Sequence, residues 1–437
     1  MTHYLIALLL AGELSLDYPG VVKLALSDNL TYQSARLQTD QAEARAEIAE
    51  AQRNPTLTLN GFYVHNDLNL VRSLEPDRTH IPQAEAQGLD ASDLYVTGQN
   101  QMLNRTVLAV PIYTGGRLES QMHRQRHLFQ ASQCQLETRR QATILEAKRQ
   151  YLSWLLAERS QEVAVRNQEQ ARQLESDTCA RFQTGAATGY DLMQGQLAVA
   201  QAADRLKVAE TARESERLKL ARLLHQPLEQ AMRPLDRLGS RNLLAGEPVL
   251  DEDPQQLAAQ ALQQRPELEQ LRHTIESSLD DEGVARSGKL PQLIVNLNYD
   301  LIGNTLKLRG GFALIASLYV PIFDGGMAEA RGHEAQLHRL QLKHQEMAQA
   351  EEIVKQVMQA HWSLEEAESR WRVADSALRR TQEALRIAHK RYDVGAGTTL
   401  ELVTQTAALE RADYSLAQAD YQRMQSRAQL RWAVGAP

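Results

Sequence analysis

Val110-Pro-Ile-Tyr-Thr-Gly-Gly-Arg117 occurs twice in the chain, the second time as Val320-Pro-Ile-Phe-Asp-Gly-Gly-Met327. Further on, Arg181-Phe-Gln-Thr-Gly-Ala-Ala-Thr188 returns as Arg391-Tyr-Asp-Val-Gly-Ala-Gly-Thr398. Both pairs stand 210 positions apart, so no gap intervenes between the two signatures. Two unrelated motifs at one offset mark an internal duplication, and that sets the frame for every other reading.

Working outward, each copy contains the same elements. An entry helix is predicted over 18–53 and again over 254–288, ended by Asn54-Pro55 and by Leu290-Pro291. Residues before Pro avoid the helical region, while Asp253-Pro254 supplies a cap and a first-turn Pro. Positions 55 and 291 are 236 apart, so the first copy holds 26 extra residues before its Val-Pro-Ile. Strands are expected over 56–65 and 101–110, and over 292–301 and 311–320. Leu293, Val295, Leu297 and Tyr299 alternate with Ile294, Asn296, Asn298 and Asp300. Such period-two patterning suits a sheet with one apolar face. Two readings stay open here: a small sheet packed on helices, or a piece of membrane barrel wall. Four strands cannot close a barrel alone, so the second reading demands several chains. The tip of the first hairpin, about 66–98, reads as an exposed loop.

Long helices follow each Gly-Gly, over 117–184 and 327–394. The 67 positions from Arg117 to Gln183 contain no Pro and no Gly. At about 1.5 Å per residue they span on the order of 100 Å. Ile353, Val357, Ala360, Leu364, Ala367, Trp371, Ala374 and Leu378 fall at coiled-coil spacing. Returning helices are expected over 188–226 and 398–434, the second with Glu410 as the one polar heptad entry. The domains are thus repeat 1 at 14–227, a Pro- and Gly-containing connector at 228–253, and repeat 2 at 254–437. Each helical hairpin is too thin to bury a core alone and requires partners.

The net charge of −7 and the absence of a basic block argue against nucleic acid. No apolar run of about 18 residues exists to form a spanning helix. The two cysteines, Cys134 and Cys179, lie 45 positions apart on one helix and cannot pair within a chain. Residues 1–13 hold a short apolar run without the usual positive flank. Both a degenerate signal peptide and a misassigned start fit that pattern.

The order of elements, duplicated with both signatures, resembles the TolC family of bacterial outer-membrane factors from about Leu14 to Gly435. That resemblance implies a mainly α fold with a small membrane β part: two tandem repeats, each a strand hairpin plus a long coiled-coil helical hairpin. It further implies a homotrimer, with four strands per chain forming a 12-stranded β-barrel joined to an α-helical barrel. The function implied is a passive exit duct of an efflux or type I secretion system. Its partners would be a periplasmic adaptor (membrane fusion protein), an inner-membrane RND pump or ABC exporter, and outer-membrane lipid. The location would be the outer membrane, with most of the mass in the periplasm. A soluble periplasmic coiled-coil scaffold without a transport role is the alternative. His225 departs from the family, which usually has Gly there as at Gly435. Gly397 and Thr404 stand where some members carry constricting residues.

Candidate residues cluster at the two Gly turns. By resemblance, Asp191 and Glu401 would line the periplasmic entrance as rings of charge. Thr188 with Asp191, and Thr398 with Glu401, also have capping-box spacing, and the two roles are compatible. Gly185 and Gly395 allow the reversal and present the tip to an adaptor. Arg181 and Arg391 suit either adaptor contact or the dipole at a helix C-terminus. Tyr392 is read as a gate hydrogen bond or a packed heptad aromatic. His123 and His127 share a helical face, but no third ligand is in sight, so no metal or other cofactor is expected. With no phosphate loop, zinc signature or nucleophile elbow, no enzyme is expected either.

Overall fold

A computed structural model of the chain describes residues 14–65, 100–239, 253–304 and 307–436. Residues 1–13, read as either a degenerate signal peptide or a misassigned start, the hairpin tip at 66–98 and the connector from 240 to 252 lie outside the described residues. The elements are β1 (Leu14–Leu16), α1 (Tyr18–Asp28), α2 (Leu30–Ala51), β2 (Thr56–His65), β3 (Asn100–Tyr113), α3 (Arg117–Gln183) and α4 (Gly189–Leu223). They continue with β4 (Met232–Pro234), α5 (Pro254–Gln264), α6 (Pro266–Ser287), β5 (Gln292–Asn304), β6 (Lys307–Tyr319), α7 (Met327–Asp393) and α8 (Thr399–Val434). They group into two compact units: Asp40–Ala131 with Leu271–His344, and Met1–Thr39 with Ser132–Gln270 and Gln345–Pro437.

The unit that carries the sheet is built on four antiparallel strands in the order β2-β3-β5-β6. Opposed pairs share a face. Leu57↔Leu108, Leu108↔Leu297 and Leu297↔Leu314 therefore run across all four strands on one side. Tyr299 and Phe312 oppose each other on that side, with ring centroids 4.7 Å apart. The other side carries Asn60↔Arg105↔Asp300, and the Arg105 Nε donates to Asp300 at 2.6 Å. The apolar side is bare: Leu59, Phe312 and Leu314 are 73, 77 and 73 % exposed. A bulge between Pro111 and Tyr113 ends the regular pairing of β3, as suits a residue with no N–H to give a ladder. The Gly-Gly turns follow. Gly115 and Gly116, like Gly325 and Gly326, take positive φ between 66° and 83°, a region that side chains resist.

In the second unit the helices pack through cores of large side chains, with small residues buried along the helices between them. Tyr151, Leu152, Trp154, Leu155, Leu220 and Leu224 form a core with Leu16 and Val21. The short parallel pair β1–β4, not foreseen in the sequence, lies over it, and the Tyr151 hydroxyl donates to the Leu16 carbonyl at 2.9 Å. A second core joins α5, α7 and α8 through Leu257, Ile353, Val357 and Leu430. The heptad of α7 is visible in burial: Ile353, Val357, Ala360, Ala367 and Ala374 are all buried.

The entry helices differ from the sequence expectation. Each is two helices, not one over 18–53 or 254–288. Asn29 is extended and caps α2, accepting from the Tyr32 amide at 3.0 Å, while its own amide donates to the Leu223 carbonyl at 2.9 Å. Arg265 is extended because Pro266 follows it. Arg265 is 3 % exposed, and its guanidinium donates to the Trp432 carbonyl and Glu267 while lying 4.3 Å over the Trp432 ring.

The departure at His225 has a backbone consequence. His225 has φ 52°, the left-handed value that Gly435 takes at φ 94°. Both ends close alike: Gln226 N–H donates to the Ala221 carbonyl, and Ala436 N–H to the Arg431 carbonyl, each at 2.9 Å. This Schellman closure demands a left-handed residue. His225→Gly should raise stability by up to about 1 kcal/mol, the steric cost reduced by glycine's entropy. A rise in thermal midpoint checks this.

Candidate functional site

The two turns that join α3 to α4 and α7 to α8 belong to one unit, and the residues singled out above converge there. Each turn reverses through a glycine at φ 76°. Ala186 N–H donates to the Arg181 carbonyl, and Ala396 N–H to the Arg391 carbonyl, each at 2.8 Å. Gly397 is needed for space: a Cβ there would stand 3.0 Å from the Tyr392 nitrogen.

The two N-caps have the same spacing but not the same bonds. At Thr188 the capping box is complete: its hydroxyl accepts from the Asp191 amide at 3.2 Å, and Asp191 accepts the Thr188 amide at 3.0 Å. The Thr188 hydroxyl also donates to Asp191 at 2.6 Å, and Thr399 nearby lowers the carboxyl's pKa further. Bonding from Thr188 holds the Asp191 carboxyl below the usual carboxylate range. At Thr398 only half of the box forms. Its hydroxyl accepts from the Glu401 amide at 3.1 Å, but the Glu401 carboxylate turns to Arg391, 2.8 Å away. The expected reach of that acid back to its cap is thus displaced by an ion pair with the preceding helix end. Arg391 also donates to the Ala396 carbonyl at 3.3 Å.

Tyr392 is buried in a cluster with Leu174, Leu385, Ala388 and Leu402. Its hydroxyl stands 3.4 Å from that of Thr178, and the Arg181 guanidinium lies 4.0 Å over its ring. Arg181 also donates to the Tyr392 carbonyl at 3.1 Å. One arginine from α3 thereby meets the ring and the C-terminal carbonyl of α7 together. The ring is thus a packed aromatic of the helix end, with its hydroxyl beside that of Thr178.

Sequence reasoning did not find Thr178 or Thr399, which carry no spacing signal. It noted Glu410 only as an interruption. In the structure Glu410 accepts from Asn167 at 2.9 Å and pairs with Arg205, drawing α3, α4 and α8 onto one carboxylate. Thr404 donates to the Leu400 carbonyl of its own helix at 2.7 Å. The other sequence candidate, His127, lies in the sheet-bearing unit beside His273 and Glu276.

Two turns with these signatures, a four-stranded sheet and paired long helices are now in view. The profile of the outer membrane efflux protein family matches residues 21–225 and 257–436, one stretch in each repeat. The chain belongs to the outer membrane efflux protein family. It is similar to the outer membrane protein TolC of Vibrio cholerae serotype O1, with 25 % identity over 305 residues, 68 % of each chain. Its fold matches that of CusC with a TM-score of 0.80 at 17 % identity, covering 96 % of this chain and 92 % of that one. The outer membrane channel CmeC of Campylobacter jejuni matches with a TM-score of 0.76 at 17 % identity, over 96 % and 85 %. Within this family frame the described chain is mainly helical, and among its described residues no helix is long and apolar enough to cross a membrane.

The unequal caps give a prediction. Thr188→Ala removes a full box and should cost about 1 kcal/mol, raising amide exchange over the first turn of α4 roughly fivefold. Thr398→Ala should raise exchange at the start of α8 less, because the Glu401–Arg391 pair persists. Hydrogen exchange read by mass spectrometry separates the two.

Proposed function

We propose that this efflux-family chain is the exit duct of a tripartite efflux or type I secretion system. Three copies would form one outer-membrane barrel continuous with a periplasmic helical tunnel. The observation that carries the reading is the four-stranded sheet. One face presents Leu57, Leu59, Leu297, Phe312 and Leu314 uncovered, and the other carries Asn60, Arg105 and Asp300. A soluble scaffold would hold such a face against water at a steep cost and risk edge-to-edge association. In lipid that face is solvated, while the polar face lines an aqueous lumen. Ten residues tilted about 45° rise roughly 25 Å, the height of a hydrocarbon band.

The outer edges of β2 and β6 make no strand pairing among the described residues. Unpaired backbone groups are not tolerated in hydrocarbon, so β6 of one copy would pair with β2 of the next. Four strands in each of three copies close a barrel of twelve. The protein would be no enzyme; the driving energy would come from an inner-membrane RND pump or ABC exporter, reached through a periplasmic adaptor. The turns at Gly185 and Gly395, with Arg181 and Arg391, would be the adaptor's contact. Asp191 and Glu401 would place carboxylates at the periplasmic entrance, with the Arg181–Tyr392 contact bracing it.

Extraction of the outer-membrane fraction in mild detergent should give a particle of three chains by native mass. A soluble monomer would sink the duct. Leu314→Arg should destabilise the folded protein by about 2–4 kcal/mol if it sits near the midplane. Ser317→Arg, on the opposite and exposed face, should cost far less. In planar bilayers, cation preference should fall in Asp191→Asn. In the native chain the Asp191 share should outlast acidification to about pH 4.5. Its depressed folded pKa keeps the charge until pH falls through that lower value, below about 3.9.

A further inference from the structure

The sequence offers His123 and His127 without a third ligand. The fold supplies two from α6. His273 and Glu276 are three residues apart and share a helical face toward α3. The Glu276 Oε2 stands 3.1 Å from His127 Nδ1 and 3.2 Å from His273 Nδ1. The two imidazoles stack with centroids 6.4 Å apart at 22°. All three donor atoms lie within 4.8 Å of one another. Ligands about a tetrahedral ion at roughly 2.0–2.1 Å stand about 3.4 Å apart, so side-chain shifts of about 1 Å would seat one.

The surroundings of His127 point the same way. Its Nδ1 faces Glu276 and also Gln130 Oε1 at 3.2 Å, while its Nε2 faces Asp280 Oδ2 at 3.8 Å. Oxygen acceptors thus stand against both ring nitrogens. A neutral imidazole has one N–H and cannot answer both. Asp280 Oδ2 is shielded from solvent and has no hydrogen-bond partner. A metal cation on Nδ1 answers this arrangement without requiring a second proton on the ring. It fixes the tautomer with the proton on Nε2, directed at Asp280, the carboxylate–histidine–metal arrangement that orients ligating imidazoles. His127 and His273 side chains remain 29 and 22 % exposed, which leaves a route for entry and room for a water ligand.

We propose that His127, His273 and Glu276 form a binding site for a first-row divalent ion, Zn²⁺, Cu²⁺, Ni²⁺ or Co²⁺, with Asp280 as the positioning residue behind His127. Two imidazoles and one carboxylate suit these borderline ions better than Ca²⁺ or Mg²⁺, which favour oxygen alone. The bound ion would clasp α3 to α6, joining a helix of the first repeat to one of the second. This does not depend on the duct reading, because it concerns metal and not transport.

The test uses Co²⁺ on the full-length protein, purified in detergent without a polyhistidine tag, read by visible ligand-field absorption and by metal content after dialysis. Saturable absorption at one Co²⁺ per chain, displaced by Zn²⁺, is expected. His127→Ala and His273→Ala should each weaken binding at least 100-fold. Asp280→Asn should retain the stoichiometry with affinity about 10- to 100-fold lower. His333→Ala, outside the cluster, should bind as the native chain does. Circular dichroism confirms folding of each variant. Should an alanine variant misfold, the near-isosteric Glu276→Gln must still lose the band. Absence of saturable Co²⁺ in the native protein, or a band that survives in the folded His variants, would overturn the site. Glu276 would then be a hydrogen-bond bridge between two imidazoles.

Discussion

A helix of 67 residues carries its apolar stripe for about 100 Å, and water penalises every turn of that stripe that stays uncovered. Neither α3 nor α7 can hold that length alone, because helices draw their stability from packing and not from propensity. The chain answers with small residues. Ala360, Ala367, Ala374 and Ala388 on α7 let neighbouring backbones approach, and larger side chains are concentrated in separate cores. Trp154 and Tyr151 fill one core, Ile353 and Val357 another, and Tyr392 the third. Between them, carboxylates such as Glu410 and Asp413 gather arginines from other helices. Such polar entries in a heptad fix register where uniform small residues would allow sliding.

The duplication was legible because it rests on residues chosen for backbone reasons. Gly115 and Gly116, and Gly325 and Gly326, sit where φ is positive, and few residues replace glycine there. The long helices were legible from the absence of Pro and Gly over 117–183 together with heptad spacing. The break at Asn29 was not, because Asn is tolerated inside helices. Its capping role depends on the Leu223 carbonyl, which lies 194 positions away. The break at Arg265 is marked by Pro266, yet Pro is also tolerated at bends within helices. The three-residue strands β1 and β4 are too short to leave a periodic pattern.

At the turns, spacing located the caps but not their bonds. Thr188 and Thr398 both stand three residues before an acid, and the same spacing gives a closed box in one copy and an ion pair in the other. What differs lies outside the motif. Arg391 at the end of α7 captures Glu401, whereas Arg181 at the end of α3 is held over Tyr392. Local pattern cannot reveal a competition decided by a partner on another helix. The histidines show the same limit: His127 acquires its neighbours His273 and Glu276 only through the packing of α3 on α6.

The two turns of the chain are therefore quasi-equivalent and chemically unlike. One ends in a carboxylate locked into its own helix start, the other in a carboxylate committed to a neighbouring cation. In the ring of three copies proposed above, this would lower an apparent sixfold pattern to true threefold symmetry, with unlike tips alternating around the rim. A protein docked on that rim would meet two surfaces in turn. Its own subunits would then adopt two binding postures, or present contacts indifferent to the distinction. Divergence after duplication would in this way write a phase onto a nearly uniform circle.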